Sequence, residues 1–156
     1  MRVVRTESRV IRIAAAVLVD SSGRVLLVRK RDTTTWMQPG GKIEPGEHPA
    51  DTIVRELREE LGLELDRSTF DYWGRFAADA ANEAGHTVDA ECYFVVTDAP
   101  VAVQAEIEEL TWIRLPADPG LPVAPLSAVH LFPLLAARAT ETTKAPLDER
   151  AGPSNE

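Results

Sequence analysis

The feature that most constrains this chain is its punctuation between residues 39 and 62. Pro39-Gly40-Gly41 and Pro45-Gly46 place two breaker clusters within eight residues, a spacing that predicts an ordered loop and excludes a helix there. Pro49 then suits a first helical turn, where its missing N–H is no loss, and Gly62 suits the position just past a helix end. A helix is therefore predicted over 49–61. Upstream, the apolar run 10–19, the turn cluster Asp20-Ser21-Ser22-Gly23 and a second run 25–28 read as a hairpin. A polar loop over 31–35 leads to Trp36-Met37-Gln38. Downstream, 70–77, 88–97 and 110–115 read as strands, and the leucines of 128–137 recur at helical spacing after a proline-rich segment. From Thr140 the chain is polar without apolar periodicity, so 140–156 is expected to be a disordered tail behind a domain of residues 1–139. Strands on both sides of one helix, with another helix at the end, imply an α+β fold, an α/β/α sandwich around a central mixed sheet.

Composition narrows the function. A chain of 156 residues that is 44% hydrophobic fills one core. Its formal charge of −8 repels polyphosphate backbones, which argues against a nucleic-acid polymer as partner. The longest uninterrupted apolar run, 13–19, is far short of the roughly 20 residues that span a bilayer. The opening MRVVRTESRV lacks the apolar segment and cleavage site of a secretory signal, so a cytoplasmic location without membrane attachment is expected. Cys92 is the one cysteine; it has no disulfide partner and reads as a small apolar residue of a strand.

On the predicted helix, Ala50, Ile53, Val54, Leu57 and Leu61 form one apolar arc, and the remaining positions are expected to be exposed. Glu56, Glu59 and Glu60 fall at i+3 and i+4 spacing on an adjoining face. Each like-charge pair at such spacing costs roughly 0.2–0.5 kcal/mol, which Arg55 and Arg58 relieve only in part. A divalent cation would relieve it fully, and hard carboxylate oxygens suit Mg²⁺ or Mn²⁺. Gly40-Gly41 permits close backbone approach to a ligand, and its carbonyls could complete such a shell.

The run GKIEPGEHPADTIVRELREELGL, residues 41–63, resembles the Nudix box throughout: glycine, five residues, Glu47, seven residues, Arg55-Glu56-Leu57, one residue, Glu59-Glu60, one residue, Gly62 and an aliphatic Leu63. The resemblance implies the Nudix fold and a Mg²⁺- or Mn²⁺-dependent hydrolase that cleaves a small nucleoside diphosphate derivative by attack of water on phosphorus. It implies that Gly40, Glu59 and Glu60 hold the metal. Glu56 would join as ligand or as the group that orients water, and Arg55 would pair with Glu47 to fix the Gly41 loop on the helix. It further implies a later carboxylate shortly before a tryptophan. Trp112 fits that landmark, with Glu106 the first candidate, Glu109 the second and Glu108 the third.

No subfamily mark accompanies the box; residues 78–81 stand where some members carry a tyrosine or proline. Gln38 and Trp36 are candidate substrate-binding residues. The Gln38 amide could bond a base edge or face water, and Trp36, Tyr72 and Trp73 could stack on a base, although packing is the expectation for short-strand aromatics. His48, His86 and His130 form no constellation and read as surface or capping residues. A nucleotide-sensing domain without catalysis and an isoprenoid diphosphate isomerase using Cys92 are the alternatives. A second copy of the chain is a candidate partner.

Overall fold

A computed structural model describes residues 9–138. Its seven strands are β1 (Arg9–Val19), β2 (Val25–Lys30), β3 (Trp36–Met37), β4 (Gly40–Lys42), β5 (Asp71–Asp79), β6 (His86–Val96) and β7 (Ile107–Ile113). Helix α1 (Pro49–Leu61) lies between β4 and β5. The closing helix, α2, opens with the wider turns of Leu126–Leu131, where the Phe132 N–H reaches back five residues to the Ser127 carbonyl, and continues in ordinary α form over 132–138. The expected tail lies outside the described residues. Among those residues, no helix is long and apolar enough to cross a membrane.

The strands form one mixed sheet of order β3-β2-β1-β6-β5, with β4 added to β1 and β7 to β2. Strand β1 runs parallel to β6 along its whole length, and the other pairings are antiparallel. The predicted hairpin pairs only at Val19 and Val25, because the other half of that β1 edge is taken by β4. This corrects the expected loop at Gly40-Gly41: the two glycines extend into a short strand opposite Ala15 and Ala14. Gly40 has φ 147°, and any side chain there would run into the Ala14 carbonyl, so glycine is what lets β4 lie so close to β1.

The sheet is sandwiched as predicted. Ala14, Ala16 and Leu18 of β1 face α1, while Ala15, Val17 and Val19 face α2, the alternation that strand geometry imposes. Ile53, Leu57 and Leu61 are fully buried against the sheet, each side chain contributing about 1.5–3 kcal/mol by burial. Helix α1 has its predicted limits. The His48 ring accepts from the Ala50 N–H at 3.0 Å, and Gly62, left-handed at φ 71°, closes the other end. The expectation that every residue off the apolar arc is exposed fails at Thr52 and Glu60, both buried.

Candidate metal and diphosphate site

The junction of β4 with α1 gathers the predicted residues. Arg55 grips Glu47 through Nε to Oε2 and Nη2 to Oε1, both 2.9 Å, and Nη2 also donates to the Lys42 carbonyl at 3.0 Å. Glu47 accepts further from the Thr52 hydroxyl at 2.7 Å and the Glu44 N–H at 3.1 Å. The Arg55 bonds outweigh the effect of burial and bring the Glu47 carboxyl down to about 2. This pair locks the loop onto the helix.

One turn on, the electrostatics reverse. Glu60 is 2% exposed, and its Oε1 accepts from the Gly40 N–H at 3.2 Å. Burial, and then the neighbouring charge of Glu56, push its carboxyl well above the ordinary range, against the pull of the Gly40 N–H and of Lys30. Glu56 is also raised, first by burial, and the two carboxyls are close enough to act on each other. Its carboxylate lies where a Gly41 side chain would stand, and Arg55 Nη1 donates to it at 2.9 Å. Glu59 is half exposed, with Arg55 Nη1 3.8 Å away. Among the described residues, no three His, Cys, Asp or Glu side chains form a ready-made metal shell. Here Arg55 takes one oxygen of Glu56 and the Gly40 N–H one oxygen of Glu60, and among the described residues no cation makes an ion pair with Glu60.

The later acids separate by their partners. Glu106 Oε2 lies 3.2 Å from Lys30 Nζ, the same ammonium that acts on Glu60, whereas Glu109 is held by Arg29 at 2.8 Å and Glu108 lies 3.7 Å from Arg31. Lys30 was not singled out from sequence; its signal was a cation closing an apolar strand, in the run Val28-Arg29-Lys30-Arg31.

Gln38 is buried, with Nε2 donating to the Ala16 carbonyl at 3.0 Å and Oε1 accepting from Ser127 at 2.9 Å. Its amide is used inside the fold, where β1 and β2 part, and neither faces water nor offers a base edge. Trp36 is half-buried beneath the Arg29 guanidinium, 5.9 Å from the ring centre. Trp73 stacks on Phe94 at 5.0 Å on the α2 face, while Tyr72 is 53% exposed on the α1 face. Cys92 is fully buried on the α2 side, its thiol pushed up to about 12 by burial. The sheet therefore separates it from the glutamates, which removes the residue an isomerase reading would need.

The NUDIX domain profile matches residues 10–144. This chain belongs to the NUDIX domain family. It is 44% identical over 50 residues to the RNA pyrophosphohydrolase of Pseudomonas putida, covering 32% of this chain and 31% of that one. It is 37% identical over 101 residues to an octanoyltransferase of Myxococcus xanthus, covering 60% and 27%. Each match thus spans less than a third of the relative's length. The solution structure of the E. coli ORF135 protein superposes on this NUDIX chain with a TM-score of 0.62 at 26% identity, covering 95% of this chain and 96% of that one.

Proposed function

We propose that this NUDIX chain hydrolyses a diphosphate linkage in a small nucleoside diphosphate derivative, using Mg²⁺ or Mn²⁺. The observation that carries the reading is the buried Glu56–Glu60 pair laid on the two glycines of β4. Two carboxyls sharing a desolvated pocket are poorly compensated, and their hard oxygens suit a small divalent cation. Glu56, Glu59, Glu60 and the Gly40 carbonyl would hold it. When bound, the cation supplies charge neutralisation for the diphosphate and lowers the pKa of water. The chain's own residues do the rest: Glu47 and Arg55 keep the loop in place, and Glu106, tethered to Lys30, stands ready to orient water or accept its proton. The name of the Pseudomonas putida relative, a pyrophosphohydrolase, agrees with this chemistry. The presence of Glu56, Glu59 and Glu60 together favours catalysis over sensing, since a binding module has no need of the full set.

The test is release of phosphate or pyrophosphate from nucleoside triphosphates, ADP-ribose, dinucleotides and a 5′-triphosphorylated RNA, with and without Mg²⁺. Turnover of at least one small nucleotide, abolished by chelation and by Glu59→Gln, is expected. Cleavage that persists in Glu59→Gln, or of the RNA alone, contradicts the reading.

A further inference from the structure

The register of the sheet carries the chemistry beyond α1. Gly41, Ala14, Glu91 and Arg75 lie in one row across β4, β1, β6 and β5. Residues of one row share a face. Gly41 lies under the Glu56 carboxylate and Ala14 packs in the α1 core, so Glu91 and Arg75 project on the same side as the glutamates. Helix α1 packs chiefly on β4 and β1. Two interstrand steps set the Glu91 backbone about 10 Å from Gly41, a span that a ribose and base can bridge from a diphosphate held at α1.

Glu91 is a prepared acceptor. Its side chain is 13% exposed, sunk beside Arg12, which is 53% exposed. The Tyr72 hydroxyl donates to Oε1 at 2.6 Å, and the Tyr72 ring leans on Tyr93 at 5.2 Å, so the carboxylate is fixed from one side. Arg12 Nη2 is 3.6 Å from Oε2, too far for a hydrogen bond, and no other described residue donates to that oxygen. The neighbouring acid, Asp89, is by contrast taken by both nitrogens of the Arg75 fork. An oxygen of a mostly buried carboxylate that has the Arg12 charge nearby but no hydrogen-bond donor among the described residues can accept one from a ligand.

We propose that Glu91 reads the nucleobase, accepting from the amino group of cytosine, adenine or guanine and so selecting these nucleotides over those of uracil and thymine. The inference rests on the reading above that the diphosphate sits at Glu56 and Glu60. A carboxylate pairs naturally with an exocyclic amino donor, whereas the O4 carbonyl that uracil and thymine carry in place of the cytosine amino group is an acceptor and repels it there.

Non-hydrolysable α,β-methylene analogues of CTP, ATP, GTP and UTP, titrated calorimetrically with Mg²⁺ present, test this without relying on turnover. The wild type should bind at least one amino-bearing analogue about tenfold or more tighter than the UTP analogue, the scale of one hydrogen bond to a charged group. Glu91→Gln, which adds a donor for uracil carbonyls, should shrink the ratio to within about threefold, and Tyr72→Phe, which frees the carboxylate, should fall between. An unchanged ratio in Glu91→Gln, equal binding of all analogues, or binding of none overturns the proposal. The two readings fail separately. Hydrolysis lost in Glu60→Gln with a flat base preference sinks only the role of Glu91, whereas a preference that collapses in Glu91→Gln while Glu60→Gln still hydrolyses sinks only the diphosphate site.

Discussion

Glu47 just ahead of α1 and Glu60 in its last turn both lie close to β4, yet their surroundings treat them oppositely. Glu47 is ionised by design: a bidentate guanidinium, a hydroxyl and a backbone N–H all stabilise its charge. Glu60 has one backbone N–H, a distant ammonium and a second carboxyl, and burial makes its charge costly. The difference teaches which acid is architecture and which is chemistry. A carboxylate whose charge is already answered has nothing left to offer a ligand, while a desolvated one beside another acid is poised for a cation that neither Arg55 nor Lys30 replaces.

Substitutions should break this contrast in a graded way. The largest effect is expected from Glu60→Gln and Glu59→Gln, with Mg²⁺-dependent hydrolysis falling about 100-fold or more, the scale of losing one electrostatic stabiliser of the reacting groups. The melting temperature of Glu60→Gln should hold or rise, because a buried acid is removed; calorimetric melting beside the activity assay checks both. Glu47→Gln should do the reverse, lowering stability by about 1–3 kcal/mol through loss of the charge-assisted bonds to Arg55 and retaining more activity than Glu60→Gln, as read by urea unfolding.

The same pair gives a pH signature. Because the folded carboxyl of Glu47 lies near 2 and its ordinary value is 4.5, its stabilising contribution is fully present above about 4.5 and is lost as pH falls from there toward 2. The stability gap between wild type and Glu47→Gln should therefore narrow between pH 5 and pH 3; a gap that widens on acidification contradicts the assignment. Gly41→Ala should cost less stability than Gly40→Ala, since its methyl meets the movable Glu56 carboxylate whereas that of Gly40 meets the β1 backbone at a φ suited to glycine. The smallest effect is expected at the helix cap: His48→Ala should cost about 0.5–1 kcal/mol and leave turnover unchanged.

Much of this was legible in the sequence because it is local. Pro49 and Gly62 marked the limits of α1 through their own backbone restrictions, and the 3.6 period gave its buried face. The Glu47–Arg55 pairing followed from the resemblance, and the structure shows the bonds. What the sequence concealed depends on approach between distant segments. A helical wheel sees only the apolar arc, so it could not show that β4 closes over Glu60. Nor could it show that Gly40 and Gly41 extend the sheet, because their pairing needs the small Ala14 and Ala15 opposite. The Gln38 amide has its role from the parting of β1 and β2, and Lys30 from its ion pair with Glu106 at a distance where its charge is still felt by Glu60, neither of which spacing encodes. Tyr72 and Trp73 are adjacent and equivalent by composition, and only strand alternation puts one in the open and the other on Phe94.

The central claim is that the desolvated carboxyls of α1, Glu56 and Glu60, packed against β4, hold a divalent cation. Titrating Mn²⁺ into the protein while following its paramagnetic resonance signal measures this directly. Saturable loss of the free-ion signal in the wild type and in Glu47→Gln, abolished or weakened at least about tenfold in Glu60→Gln, is the result expected from removing a ligating carboxylate. Equal uptake by wild type and Glu60→Gln, or none by either, would contradict it.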